Sequence, residues 1–569
     1  MTNRFPQSPG SPVARQDLAR AVEDALALHR QGQLGRAEKA YLRVLKVRRD
    51  HFDALHLLGM LKHQTGKAGE AFRLITAALA VNPRSADALS NLGLVLHALR
   101  RDADALASFD KALALDPDHA EALNNRGTAL LAMKRPAEAL AAFERLLAKN
   151  PRHVEAQVNR ANALLELGRV QEAIAGYDAL LAAAPRHAGA WFNRGTALAS
   201  LDRFEEAIAA YDRALAIVPG YAKALNNRGI ALRALNRHRE ALASYAGAIA
   251  VQQDFAEARL NHAHALLTLG DLRRGFAEYE WRWKTPGNAP HRRTFAQPLW
   301  LGERPLGGKT ILIHAEQGLG DTLHFARYAT PLARAGARVI VQAAPALAAV
   351  LASVEGATSV VASGDRLPRF DLHCPLASLP LACKTDLGGI PADIPYVAAP
   401  ADRLAKWRER IDGLARPRVA LAWSGSAAHA NDRHRSIALS RLAPLLASAG
   451  ARFVSVQRDV RGGDAPMLAS APVAHVGDEL ADFADTAAVL ALCDLTISVD
   501  SAVAHLAAAM GRPTWILLPF SPDWRWMLER EDSPWYPTSR LFRQPAIGDW
   551  QSVIARVKSE LAGFAAAAS

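Results

Sequence analysis

The stretch KTILIHAEQGLGDTLHFARY, residues 309–328, reads as a strand, a glycine-rich turn and a helix in direct succession. Residues 310–314 form a short, mostly apolar run of the kind a strand buried in a parallel sheet requires. Gly318 and Gly320 let the backbone turn sharply and come close to a ligand. Asp321 then stands at the mouth of the helix, where free backbone N–H groups point outward. Position alone leaves two roles open for it, an N-terminal cap or a catalytic group.

Working outward from this turn, the downstream chain alternates short apolar strands with helices. Candidate strands at 310–314, 338–342, 358–362 and 371–374 make one α/β lobe, 309–400, that ends in the proline-rich crossing segment 391–400. A helix over 401–414 opens a second lobe, 401–569, with strands at 418–423, 453–457, 473–476, 495–499 and 514–518. The reading sends the last helix, 550–564, back across to the first lobe. Open parallel sheets bind ligands beyond the carboxyl ends of their strands, and two such lobes face each other across a cleft.

Four polar groups fall at those strand ends in the second lobe. They are Ser424-Gly425-Ser426, the loop 431–436 with Arg433 and Arg435, then Gln457-Arg458, and finally Asp500-Ser501-Ala502-Val503-Ala504-His505. The last is a strand running straight into a helix, whose N–H groups and partial positive charge suit a diphosphate. Guanidinium groups match phosphate geometry. Each group alone also has an ordinary structural explanation as a cap, a turn or a packed histidine; together they indicate a nucleoside diphosphate site. The dinucleotide pattern G-x-G-x-x-G fails at Leu323, and the strand at 338–342 ends in Gln342 rather than an acid, so a dehydrogenase is excluded. The Asp-x-Asp spacing of metal-dependent sugar transfer occurs only at Asp102/Asp104 and Asp116/Asp118, so no metal and no cofactor are expected.

The upstream half is periodic. Pro83, Pro117, Pro151, Pro185 and Pro219 recur every 34 residues, as do Gly59, Gly93, Gly127, Gly195 and Gly229, with Ala161 and Ala263 in the same phase. Tyr41, Phe109, Phe143, Tyr177, Tyr211 and Tyr245 keep the same step. This pattern resembles the tetratricopeptide repeat, two antiparallel helices per unit stacked into an α-solenoid with a concave groove. The array is placed at 18–284, after a disordered N-terminus, 1–17, and before a linker, 285–308, whose aromatic content implies that it packs on a neighbour. Asn91, Asn125, Asn159, Asn193, Asn227 and Asn261 form one further column. It resembles the asparagine ladder of the protein O-GlcNAc transferases, which implies that it holds an acceptor polypeptide. Inter-repeat hydrogen bonding is the competing explanation.

The totals agree with such an organisation. At 569 residues the chain exceeds a single core. Its net charge of +12, from 68 Lys and Arg against 56 Asp and Glu, favours anionic partners without a dense basic block for nucleic acid. Three cysteines without a C-x-x-C pair fit a reducing compartment, and no apolar run reaches the length of a membrane span. A cytoplasmic location is expected.

The segments EQGLGDTLHFARY, RSIAL, DFADTAA, ISVDSAVAHLAAAMGRPTWILLP, PDWRWML and DSPWYPTSRLFRQ resemble a bacterial family of repeat-containing glycosyltransferases. Its catalytic half is similar to the heptosyltransferases, glycosyltransferase family 9, and the resemblance spans nearly all of 18–564. It implies a GT-B fold of two Rossmann-like lobes, with Asp321 as the catalytic acid-base group of the Gly-x-Gly-Asp turn. It also implies that Asp500, Ser501, Ala502 and His505 bind the donor diphosphate. Ser501 stands where that family has Thr, and Ala502 where it has Gly. Gly318, Gly320, Ser424, Gly425, Arg433, Arg435 and Gln457 complete the expected donor site. The implied activity is metal-independent, inverting transfer from a nucleotide-sugar to a protein held in the repeat groove, with flagellin as a family-type acceptor. The alternatives are a non-catalytic repeat scaffold with a degenerate sugar-nucleotide fold, or a transferase acting on a small or lipid-linked glycan. The aromatic tail around Trp524, Trp526, Trp535 and Tyr536 reads as lobe packing rather than a sugar-stacking face.

Overall fold

The computed structural model describes residues 12–429, 431–448 and 450–568, and divides into two compact units, one reaching to Pro219 and one beginning at Gly220. Residues 1–11 of the expected disordered N-terminus lie outside the described residues. Residues 12–17, expected to precede any element, instead begin the helix Pro12–Arg30.

The first unit consists of antiparallel helix pairs, from Pro12–Arg30 with Leu34–Val47 to Ala188–Ser200 with Phe204–Ile217. The conserved step has a steric cause. A Cβ at Gly93 would lie 2.5 Å from the Phe109 ring, at Gly127 2.5 Å from Phe143, and at Gly195 2.7 Å from Tyr211. The aromatic ring therefore occupies the space that any larger residue on the facing helix would need. First helices are capped by a side chain at their entry: Ser85 Oγ accepts the Ala88 N–H at 3.2 Å, and His119, His153 and His187 Nδ1 do the same at 3.2, 3.2 and 2.9 Å. Second helices end one residue before the position that precedes each repeat proline, as at Val81, Leu115 and Lys149.

The second unit opens with two more repeat pairs, Ala222–Ala234 with His238–Val251 and Ala256–Thr268 with Leu272–Tyr279, followed by the 3-10 turn Glu280–Lys284. The linker then packs as expected: Trp300 is buried, its N–H donates to the His373 carbonyl at 2.8 Å, and its indole N–H to the Arg304 carbonyl at 2.9 Å.

Two wholly parallel sheets follow. The first contains β1 (Thr310–His314), β2 (Arg338–Ala343), β3 (Ala357–Ala362) and β4 (Leu372–Pro375) in the order β3-β2-β1-β4. The second contains β5 (Arg418–Ala422), β6 (Arg452–Ser455), β7 (Val473–His475), β8 (Leu495–Val499), β9 (Thr514–Leu518) and β10 (Ser539–Arg543) in the order β10-β9-β8-β5-β6-β7. The fold class is therefore a helical repeat solenoid followed by parallel α/β lobes, consistent with a GT-B-like arrangement. Two sequence readings are corrected. β10 is absent from the sequence reading, because SRLFR is neither alternating nor continuously apolar: Ser539 and Arg540 are adjacent polar residues, followed by Leu541 and Phe542. The last helix, Trp550–Ala568, does not cross to the first lobe. Its Trp550, Val553, Ile554, Val557 and Leu561 join Val419, Leu421, Trp423 and Phe542 in the core of the second sheet. Its apolar face is consumed there, so nothing draws it elsewhere.

Candidate functional site

β1 delivers the glycine-rich turn to its carboxyl end, and the helix Leu319–Ala326 starts immediately after it. Asp321 is the third residue of that helix, and its Oδ2 accepts the Gly318 N–H at 3.0 Å. Its other oxygen is paired with the guanidinium of Arg525, a buried residue of the second lobe that also binds Asp523 Oδ1 at 2.8 Å. The Asp321 side chain is 28% exposed, so its carboxylate is reachable. One oxygen thus serves the cap and the other the pair with Arg525.

Across from it, β8 ends at Val499 and the helix Ala502–Ala509 begins. Ser501 at the N-cap does not cap with its hydroxyl, which instead lies 3.0 Å from Ser498 Oγ. The first backbone bond of the helix is His505 N–H to the Ser501 carbonyl at 3.2 Å, leaving the amides ahead of it without intrahelical partners. The two helix ends are in direct apposition: a Cβ on Gly320 would lie 2.9 Å from His505 Cδ2 and 3.5 Å from Ala502 Cα. Only glycine allows this approach.

Further groups of the second lobe converge on the same helix end. Arg435 donates to the Asp500 carbonyl at 3.0 Å and covers Gly425 so closely that a Cβ there would meet its guanidinium at 2.5 Å; its buried Nε–H makes no hydrogen bond and lies 3.8 Å from Asp432 Oδ1. Ser424 Oγ is likewise buried without a protein partner. Burial, with the negative charge of Asp523, pushes the Asp500 carboxyl up to about 6. Arg433 is exposed and donates to His434 Nε2 at 3.0 Å, outside this cluster. Gln457 is spent on scaffolding: its Oε1 accepts the N–H groups of Trp423 and Ser424, each at 3.1 Å, and its amide donates to the Ser424 carbonyl at 3.2 Å. It joins the ends of β5 and β6 rather than facing a ligand.

His505, expected to bind the diphosphate, is held in a buried aromatic setting. It is 5% exposed, stacked on Trp526 with ring centroids 5.3 Å apart, and its Nδ1 lies 2.9 Å from the Tyr536 hydroxyl. Burial, reinforced by the Arg525 charge, pushes its pKa down to about 3, so at neutral pH it offers a neutral ring rather than a cation. Tyr536 OH also lies 3.1 Å from His324 Nδ1, and Arg327 bonds the Trp535 carbonyl at 2.6 Å. The tail aromatics Trp524, Trp526, Trp535 and Tyr536 are all buried in this junction, as packing requires.

A cavity of about 400 Å³ lies on the first-lobe side of the same turn, lined among others by Arg293, Glu316, Gln317, Thr322, Gln342 and Ser363. It occupies the carboxyl ends of β1, β2 and β3, where a ligand of this lobe belongs. Arg293 reaches in from the linker and bonds Gln342 Oε1.

The asparagine column runs between neighbouring repeats. Asn91 Nδ2 lies 2.9 Å from His56 Nε2, Asn159 donates to Asn124 at 3.2 Å, and Asn193 to Asn162 at 3.1 Å. In the second unit Asn261 donates to Asn226 at 3.0 Å, and Asn226 to Asn227 at 3.1 Å. All six members of the column are half-buried. The amide groups of Asn91, Asn159, Asn193 and Asn261 are therefore engaged in inter-repeat bonding, the competing explanation for the column.

Three residues of the site escaped sequence reasoning: Arg525, Glu316 and Arg282. The available signal was a lone charge set among aromatics, in DWRW and EWRW, and an acid directly ahead of the glycine-rich turn.

Comparison with known proteins supports both halves. Tetratricopeptide repeat families match residues 22–75, 84–150, 124–186 and 161–222. Glycosyltransferase family 9 (heptosyltransferase) matches residues 480–518, the segment holding β8, the helix Ala502–Ala509 and β9. Protein FlbA of Caulobacter vibrioides is 28% identical over 295 residues, covering 47% of this chain and 48% of that protein, so the chain spans about half the length of the curated relative it matches. Among solved structures, a tetratricopeptide repeat protein from Parabacteroides merdae aligns at 20% identity over 44% of this chain and 99% of its own, with a TM-score of 0.38. PilF of Pseudomonas aeruginosa aligns at 20% identity over 37% of this chain and 96% of its own, with a TM-score of 0.34.

Proposed function

This chain is a tetratricopeptide-repeat protein with a glycosyltransferase-like half, and from that premise we propose that it transfers a sugar from a nucleotide-sugar to a protein acceptor. The observation that carries the reading is the apposition of the Asp321 turn and the open helix end at Ala502, one from each lobe, around a glycine that permits the contact. A carboxylate and an anion-receptive helix end in one cleft are the two parts that sugar transfer from a diphosphate needs.

The donor diphosphate sits at the N–H groups preceding His505, with Arg435 and the Ser424 hydroxyl beside it. The buried Ser424 hydroxyl and the Arg435 Nε–H make no hydrogen bond within the protein, which supports this assignment. The acceptor hydroxyl enters from the first-lobe side. Its oxygen attacks the anomeric carbon as the bond from that carbon to the diphosphate oxygen breaks, and the electron pair leaves on the diphosphate. Asp321 takes the hydroxyl proton, and the anomeric configuration inverts. The growing negative charge is met by helix N–H groups and Arg435, which are already oriented and need no rearrangement. Arg525 must yield or share Asp321 when the acceptor hydroxyl arrives. The asparagine carbonyls of the repeats accept backbone N–H groups of an extended acceptor chain, independent of its sequence. A cytoplasmic location and a flagellin-type acceptor belong to the same reading. Among the described residues no helix is long and apolar enough to cross a membrane.

The test is sugar transfer by purified protein from a radiolabelled nucleotide-sugar panel, with wild type and Asp321→Asn side by side. Label reaching a protein acceptor in wild type only is expected. Equal turnover by both would remove Asp321 as the base. A second reading, a non-catalytic scaffold, is favoured by one observation: both Asp321 oxygens already have partners. Under it neither protein would release nucleotide diphosphate from any donor.

A further inference from the structure

The end of the repeat array carries a buried charge cluster that the transfer chemistry above does not use. Arg282, in the turn Glu280–Lys284, is 1% exposed. One guanidinium nitrogen reaches Ser378 Oγ at 2.6 Å and Glu316 Oε1 at 3.2 Å, and the other reaches Glu280 Oε1 at 2.5 Å. The rings of Trp283 and Tyr279 flank it at 4.3 and 4.9 Å. Glu316, 2% exposed, is further fixed by the Leu376 N–H at 3.1 Å and the Ala377 N–H at 3.2 Å. Next to it, Gln317 donates to the Tyr279 hydroxyl at 2.7 Å. Thus two consecutive residues are tied to the last repeat, and the residue after them is Gly318, whose N–H holds the Asp321 carboxylate.

We infer that Arg282 is a positioning residue for sugar transfer: acting through Glu316, it sets the backbone of the 315–318 turn and so the placement of Asp321. The last repeat is then part of the transfer machinery as well as of the acceptor-holding array. Glu316 borders the first-lobe cavity, but its carboxylate oxygens are engaged by Arg282 and by the Leu376 and Ala377 N–H groups. A buried fork-shaped cation contacting two carboxylates and a hydroxyl fixes geometry in a way a point charge does not. An ångström-scale error in the placement of a catalytic group lowers turnover by about a hundredfold. The kinetic arm of the test rests on the transferase reading, and the structural arm does not.

The experiment compares full-length wild type with Arg282→Gln, Arg282→Lys and Glu316→Gln. Amide hydrogen exchange is followed across 315–326 and 495–509, nucleotide binding by calorimetry with UDP, GDP and ADP as probes, and transfer by kcat and KM. Exchange at 315–326 is expected to quicken about tenfold or more in Arg282→Gln, with 495–509 unchanged. The kcat should fall by about tenfold or more while the nucleotide Kd stays within about twofold, and Arg282→Lys should recover part of the loss. Glu316→Gln should reproduce the Arg282→Gln phenotype. Unchanged exchange at 315–326, or equal loosening of the whole second unit, overturns the inference. If Arg282→Gln does not fold, Arg282→Lys and Glu316→Gln carry the same comparison. If wild type itself transfers no sugar, the transferase reading fails, and the exchange result alone decides the role of Arg282.

Discussion

The repeat unit and the α/β unit solve the same packing problem in opposite ways. In the repeats, a glycine beneath an aromatic ring recurs as Gly93/Phe109, Gly127/Phe143 and Gly195/Tyr211, each pair 16 residues apart in the chain. Each contact is local, and its loss is shared with neighbours that repeat it. In the α/β unit, Gly320 meets His505 across 185 positions of sequence, and the contact does not recur at a fixed step. Redundancy makes the first region legible and tolerant. Singularity makes the second functional and fragile.

Four measurements sharpen or break this contrast. The largest effect belongs to the unduplicated carboxylate: Asp321→Ala is expected to lower kcat by about 10²-fold or more, read by transfer assay. It should lower the melting temperature as well, because the cap on Gly318 and the pair with Arg525 are lost; Asp321→Asn, which keeps the cap, separates the two effects. Asn193→Ala, which removes one rung of six, should weaken acceptor binding only slightly; comparable losses from the two would erase the distinction. Next, Gly127→Val should destabilise by about 1–3 kcal/mol in urea unfolding, because Phe143 must leave its rotamer. Gly320→Val at similar stability cost should abolish activity.

The third effect is pH dependence. His505 and His314 are each pushed by burial down to about 3, and His238 and His264 to about 4; all four belong to the second unit. The unfolded chain takes up these protons near the ordinary 6.5 and the folded chain does not. Their contribution is therefore complete above that pH and is lost as pH falls, by about 1.4 kcal/mol per pH unit per histidine. Stability measured at pH 7, 6 and 5 should fall for wild type and fall less steeply for His505→Gln. An unchanged slope would mean that the ring is not held neutral. Smallest, the periodic surface pair Arg169–Glu172, with bonds of 2.7 and 2.6 Å, should contribute nothing measurable: Glu172→Gln should leave the unfolding midpoint within error.

How far the sequence could be read follows the same division. The repeat period, the strand cores and the two helix starts at Asp321 and Ser501 are local patterns, and the structure places each at the expected residues within a few positions. The partners of those groups are not local. Nothing within the loop at 457 says that the Gln457 amide will close on the backbone of Trp423 and Ser424. Nothing near Asp321 points to Arg525, and nothing near Glu316 points to Arg282, since each pairing is made only when separate layers pack. The neutral state of His505 is invisible for the same reason: it depends on the burial that Trp526 and Tyr536 provide.

The division at Pro219 and Gly220 has one more consequence. Asn236 donates to the Phe520 carbonyl at 2.7 Å, Ser521 Oγ to the Arg233 carbonyl at 3.1 Å, and Arg273 to Asp386 Oδ2 at 2.9 Å, so the final two helix pairs are anchored to the lobes by bonds specific to their own residues. Duplications and deletions of whole 34-residue modules upstream disturb no such bond. A change in the number of modules before Pro219 therefore leaves these bonds in place, whereas removal of the terminal two would strip the lobes of them.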